Sequence, residues 1–216
     1  GSKTGIGSSA ALTVALVAAL GKSENVFVQS LRAHSELQGG AGSGVDVAAA
    51  VHGGLIEYAM KTRSVSHIDW PEGLAWRLIW TGVAASTEAK LAKLAKHAGG
   101  SSRSALGLAS DKMADAWRSG STDKILSEYV AYIGVLRQFS VDHDLGIFDA
   151  GHEQLTDAAT RDGLIYKPAG AGGGDIGVLF GRNEPDLEHF VAEHSELVHA
   201  VLPCDLDLDG VRLEQQ

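Results

Sequence analysis

The chain has 216 residues, 44% of them hydrophobic and 21% charged, the balance of a globular protein able to bury a core and not of a disordered one. A net charge of −9 excludes a general nucleic-acid binder, which needs a basic face, yet leaves room for a small anion met by a few local lysines. Cys204 is the sole cysteine, which excludes an internal disulfide and points to a reducing, cytoplasmic setting. The most apolar stretch, residues 9–20, falls short of the roughly 20 residues of a membrane span and lacks a signal-peptide pattern, so no membrane partner is expected.

In chain order, a Gly/Ser-rich loop over residues 3–9 leads into a helix over 10–20. Its alanines and leucines favour helix and leave it apolar on nearly every face, so burial is expected. A second helix is predicted over 25–37, a glycine loop over 39–44, a short packed helix over 45–51 and a strand over 55–60. Trp70, Pro71, Glu72 and Gly73 punctuate the chain, and a domain boundary is placed there, giving domains 1–72 and 73–216. The second half reads as a strand over 76–81, helices near 87–97, 103–119, 122–141 and 150–161, strands over 164–166 and 175–180, a helix over 184–196 and strands over 198–202 and 211–213. This order suits an α+β domain of the ferredoxin-like kind.

Three loops carry candidate chemistry. In the first, Gly5, Ile6, Gly7, Ser8, Ser9 and Ala10 run straight into a helix, an arrangement that offers backbone N–H groups and a positive helix end to a phosphate. The alternative is a plain serine cap on a buried helix. Residues 21–23 lack the upstream glycine of a Walker A loop, and almost no chain precedes Gly5 to supply a Rossmann strand. In the second, Ser43, Gly44 and Asp46 end a glycine-dense loop at the start of a small apolar segment; Asp46 is a pocket carboxylate or a helix cap. His34, just upstream, reads as a packed or solvated histidine. In the third, Gly170, Ala171, Gly172, Gly173 and Asp175 follow Lys167 and precede an apolar strand, forming either a wall against a ligand or a tight connection. The nine histidines give no metal-ligand spacing; His189 and His194 read as solvated, and Asp205, Asp207 and Asp209 as solvent-facing.

Taken together and in this order, the three loops resemble those of the GHMP kinase superfamily. GIGSSAA at 5–11 is similar to its ATP phosphate loop, GVD at 44–46 to the segment whose aspartate lies beside the acceptor, and GAGGG at 170–174 to its C-terminal glycine motif. KTGIGSS at 3–9, the run 38–48, TGVAAST at 81–87 and KPAGAGGGD at 167–175 resemble the phosphomevalonate kinase branch in particular. The resemblance implies a partial ribosomal-protein-S5-like N-terminal domain and a ferredoxin-like C-terminal domain. It implies ATP and Mg²⁺ as cofactors, with the metal near Ser8 or Ser9, and a small phosphorylated acceptor held by Ser43, Gly44, Ser86, Thr87 and the 170–175 loop. Asp46 and Lys3 become the candidate catalytic residues: Lys3 screens two approaching anions, and Asp46 orients the acceptor or holds a cation. The expected reaction is ATP-dependent phosphorylation of phosphomevalonate to the diphosphate, in isoprenoid biosynthesis. The alternatives are a hydroxyl acceptor, with Asp46 as general base, and a silent fragment that serves as a binding module. The superfamily's first motif, expected ahead of residue 1, is not in the chain, so the groups and apolar surface its strands would supply or cover are expected to come from a partner or to stay exposed, and a separate N-terminal segment or a homo-oligomer is the expected partner.

Overall fold

The computed structural model describes residues 5–21, 25–40, 42–95 and 100–212. These fall into two compact units. A loop unit comprises Ile6–Asp69 and returns to include residues 205–212; a sheet unit comprises Trp70–Cys204 together with Gly5. The chain therefore passes into the second unit at residue 70 and leaves it again at 205.

The loop unit holds α1 (Ser8–Leu20), α2 (Val26–Leu37), α3 (Val45–His52) and a hairpin of β1 (Leu55–Ala59) and β2 (Ser64–Ile68), paired antiparallel from Leu55↔Ile68 to Ala59↔Ser64. β2 is too polar (SVSHI) to be read from its sequence as a strand, and it forms because β1 supplies its partner. Asn25 starts α2 by accepting a hydrogen bond from Val28 N at 3.1 Å. Ala10 and Val14 of α1 pack with Leu31 of α2 and Val47 of α3 to make this unit's core. The expectation that α1 is buried on nearly every face is corrected here. Only Ala10, Thr13 and Val14 are buried, while Leu12, Leu16 and Leu20 are 62%, 51% and 83% exposed. Spacings of three and four put 10, 13 and 14 on one stripe; residues 12, 16 and 20 form another, which the described residues of this unit leave largely exposed. The returning segment is tied down by Gly54 N to Asp207 O at 2.6 Å and Val211 N to Val51 O at 3.2 Å. Among its described residues it is not a strand, contrary to expectation; Asp205, Asp207 and Asp209 are exposed, as expected, and Asp207 and Asp209 also pair with Arg212.

The sheet unit is built on four antiparallel strands in the order β4-β5-β3-β6: β3 (Ala75–Trp80), β4 (Ile165–Pro168), β5 (Ile176–Gly181) and β6 (Ala200–Leu202). Five helices surround it: α4 (Thr87–Ala95), α5 (Ser101–Arg118), α6 (Thr122–Asp142), α7 (His152–Arg161) and α8 (Glu184–Glu193). Strand alternation divides the core in two. Ile165 and Phe180 face a cluster with Met113, Ile125, Tyr129, Ile133 and Phe139 from α5 and α6. Their chain neighbours Tyr166 and Leu179 face Leu155, Ala158, Leu187 and Phe190 from α7 and α8. Side-chain caps set the helix starts where the sequence provides them, Ser121 for α6 and Asn183 for α8, the latter with Pro185 in the first turn. Among the described residues, no helix is long and apolar enough to cross a membrane.

Candidate active site

The loop unit brings the first two motifs together. Gly7 is the N-cap of α1 at φ 74°, a left-handed conformation that a Cβ disfavours, and among the described residues no side chain caps the helix. The serine-cap alternative therefore does not describe this helix. Its first-turn N–H groups have no intrahelical partners. Ser8 and Ser9 are exposed beside them; Ser9 Oγ lies 3.4 Å from Nε2 of the buried His34, so His34 is a packed residue backing the loop.

α3 repeats the pattern. Its N-cap is Gly44 at φ 80°, again without a side-chain cap, and Asp46 sits exposed in its first turn. A Cβ on Gly44 would run into Leu31 and the Tyr58 hydroxyl, so the close packing of α2 and β1 as well as the backbone angle requires glycine there. Ser43 Oγ accepts from Val45 N at 3.3 Å. A Cβ built on Gly7 would lie 3.4 Å from the Asp46 Cβ, so the first glycine loop and the carboxylate are direct neighbours. Two glycine-capped helix N-termini, that of α3 with its first amide on Ser43 Oγ, and one carboxylate form an arrangement whose chemistry suits an anion and its counter-cation. Elsewhere in the unit, an apolar groove of about 330 Å³ runs along Ala11, Val14 and Ala15 of α1 and Ala49 and Ala50 of α3.

The third motif is organised differently. Gly172 N donates to Ala169 O at 3.3 Å, Gly173 N to Ile147 O at 2.7 Å, and Asp175 N to Val83 O at 2.6 Å. Side chains added at Gly172, Gly173 or Gly174 would strike Ile147 O, Lys90 Nζ or Val83 O, so these glycines are required by neighbouring protein. Asp175, at φ 57°, accepts through its carbonyl from Thr81 N (2.9 Å) and Thr81 Oγ1 (3.1 Å) and through Oδ1 from Ala85 N (3.2 Å). It thus pins the 81–86 turn, and its carboxylate fills the space where Gly5 would carry a side chain. Ser86 Oγ accepts from Ala89 N at 3.4 Å, capping α4 at Thr87. Lys3 lies outside the described residues, as does Ala41 in the second glycine loop.

Two buried groups behind the third motif had no sequence signal. His152 Nε2 donates to Gly174 O at 3.0 Å, which leaves Nδ1 to accept from the Tyr166 hydroxyl at 2.8 Å. Burial holds the His152 pKa below its ordinary value, the Gly174 carbonyl opposing this and Lys90 and Lys167 adding to it. Burial also raises the Tyr166 hydroxyl and pushes the half-buried Lys167 ammonium down to about 8. His194, read from sequence as solvated, instead pairs with Asp162 at 2.9 Å, with Glu193 nearby; this trio, joined by the ends of α7 and α8, is a spacing that only the fold creates.

No protein-family model matches the chain. It is 31% identical over 249 residues to phosphomevalonate kinase from Streptomyces sp. (strain CL190), covering 98% of this chain and 66% of that protein. Among solved structures, the Lin0012 protein from Listeria innocua superposes with a TM-score of 0.85 at 22% identity, covering 95% of this chain and 68% of that one. Streptococcus pneumoniae phosphomevalonate kinase in complex with phosphomevalonate and AMPPNP gives 0.77 at 18% identity (94% and 70%), and L. major mevalonate kinase in complex with R-mevalonate gives 0.73 at 20% (93% and 65%). The chain thus spans about two thirds of the length of the proteins it matches, along nearly all of its own. With the open glycine-capped helix beside its aspartate, the α+β sheet unit and this relationship, the chain belongs to the GHMP kinase superfamily, within the phosphomevalonate kinase family.

Proposed function

We propose that the chain performs ATP-dependent phosphoryl transfer to phosphomevalonate, giving diphosphomevalonate and ADP in the mevalonate pathway. The observation that carries this reading is the uncapped N-terminus of α1, with left-handed Gly7 against Asp46, in a chain 31% identical to a phosphomevalonate kinase.

In this reading the N–H groups of Gly7, Ser8, Ser9 and Ala10 hold the nucleotide phosphates, while Gly5 and Ile6 shape the approach. The exposed hydroxyls of Ser8 and Ser9 and the Asp46 carboxylate are hard oxygen donors that suit Mg²⁺. Mg²⁺ bound there supplies charge neutralisation along the polyphosphate. An oxygen of the acceptor phosphate forms a bond to the γ-phosphorus as the bond to the ADP oxygen breaks. The acceptor, with a second phosphate pKa of about 6, is largely ionised at neutral pH, so Asp46 orients it or holds a cation and no strong base is needed. Ser43, Gly44, Ser86, Thr87 and the loop Gly170, Ala171, Gly172, Gly173 and Asp175 position the acceptor, and Lys3 screens the two anions. Because Gly172, Gly173 and Asp175 already use their amides internally, they contribute as a fixed surface, and Gly170 and Ala171 offer the amides.

An acceptor panel with ATP and Mg²⁺ tests this. ADP release that depends on phosphomevalonate supports the proposal. ADP release with mevalonate or a sugar but not with phosphomevalonate overturns it, as does no release with any acceptor.

A further inference from the structure

We propose that Lys90 is a positioning residue that locks helix α4 and the glycine loop 169–175 into one body. That these two elements hold the acceptor rests on the function proposed above; the lock itself rests on geometry alone.

No residue of α4 is buried, so apolar packing alone holds it weakly; Leu94 reaches the core only in part. Two lysines one turn apart fasten it. Half-buried Lys90 directs Nζ to three carbonyls, Gly172 O at 2.7 Å and Ala171 O and Gly146 O at 3.1 Å each. An ammonium has three donors, and here each finds an acceptor. Lys93, three residues on, reaches the Asp144 carbonyl at 2.6 Å and its carboxylate at 2.8 Å.

The contacts of Lys90 also explain why the loop is glycine-rich at this point. Gly173, at φ 70°, lies so close to Lys90 Nζ and Gly146 O that a Cβ has no room. Two carbonyl dipoles of the loop, at 171 and 172, end on the ammonium and are neutralised by it, while Gly173 N–H is held by Ile147 O. Without the lysine those carbonyls would be free to rotate their negative ends toward an anionic acceptor. Drawing the ammonium out of water lowers the Lys90 pKa, burial being the largest cause, Asp149 opposing it and Lys93 adding to it. This cost is accepted at a residue that, judged from sequence, is one more lysine on an amphipathic helix. The Ser86 and Thr87 start of α4 lies one turn from Lys90, so the same residue sets both acceptor-side elements relative to each other.

The test is amide hydrogen exchange together with steady-state kinetics on Lys90→Met. Gly172 and Gly173 amides should exchange at least about 10-fold faster than in the wild type, as expected when a local opening becomes easier. The acceptor KM should rise and kcat fall, each by about 10-fold, with the ATP KM within about two-fold, the split expected of lost acceptor positioning. Lys90→Cys in a Cys204→Ser background, alkylated with 2-bromoethylamine, restores an ammonium at nearly the same reach and should recover both readouts. Should Lys90→Met fail to fold, Lys90→Arg keeps the charge and should show intermediate exchange. Unchanged exchange at Gly172 and Gly173 in the substituted proteins overturns the lock. A wild type without phosphomevalonate-dependent turnover overturns the function proposed above, and the exchange result then decides the lock alone.

Discussion

Two of the three glycine loops, at 5–9 and 169–175, have similar composition and opposite physical roles. The loop at 5–9 ends in a helix with no side-chain cap among the described residues, and its first-turn amides lack intrahelical partners. The loop at 169–175 turns its amides onto Ala169, Ile147 and Val83 and its carbonyls onto Lys90 and His152. The first leaves its helix end open, and the second is held by the chain. Glycine serves both, by permitting positive φ at Gly7 and by permitting close approach of protein atoms at Gly172 to Gly174.

The largest effect that separates the loops is expected at Asp46. Asp46→Ala should lower kcat by about 100-fold or more, in the range of a displaced catalytic group, and move the thermal midpoint by less than about 3 °C. Steady-state assay and calorimetry check the pair, and a large midpoint loss would make Asp46 a structural cap. Next is Gly173→Ala, which sets a Cβ against Lys90 and Gly146 at a positive φ and should destabilise by about 2–3 kcal/mol, leaving ATP affinity unchanged. Denaturant titration and ATP titration measure this. Gly7→Ala should do the reverse, costing about 1–2 kcal/mol of backbone strain but weakening ATP binding by about 10-fold through the displaced amides and Asp46. The smallest effect concerns pH. His152 has a folded pKa below its unfolded 6.5, so the unfolded state takes up its proton first. Its contribution is complete above pH 6.5 and is lost as pH falls below it. Thermal midpoints measured from pH 7 to 5 should fall, and less steeply in His152→Gln.

The legible part of the fold was what local pattern controls. The helices at 26–37, 101–118 and 122–142 and the strands at 75–80 and 176–181 lie close to where periodicity puts them. What escaped depends on distant partners. β2 needs β1, and the segment at 205–212 needs Val51 and Gly54. The exposed stripe of Leu12, Leu16 and Leu20 shows that an apolar helix is not thereby a buried one. At the candidate site, the glycine loops and Asp46 were visible because backbone freedom and a lone carboxylate leave marks in sequence. Lys90, His152 and Tyr166 were not, because a lysine on a helix and a histidine at a helix start become special only when carbonyls from residues 146, 171, 172 and 174 arrive beside them.

The most direct test of the contrast is an ATP titration, with Mg²⁺, of the ¹⁵N-labelled protein followed through its backbone amide resonances. Large, saturable shifts at Gly7, Ser8, Ser9 and Ala10 are predicted, with Gly172 and Gly173 nearly still. Saturable shifts at Gly172 and Gly173 with none at the start of α1 would contradict the assignment of the open helix end as the phosphate site.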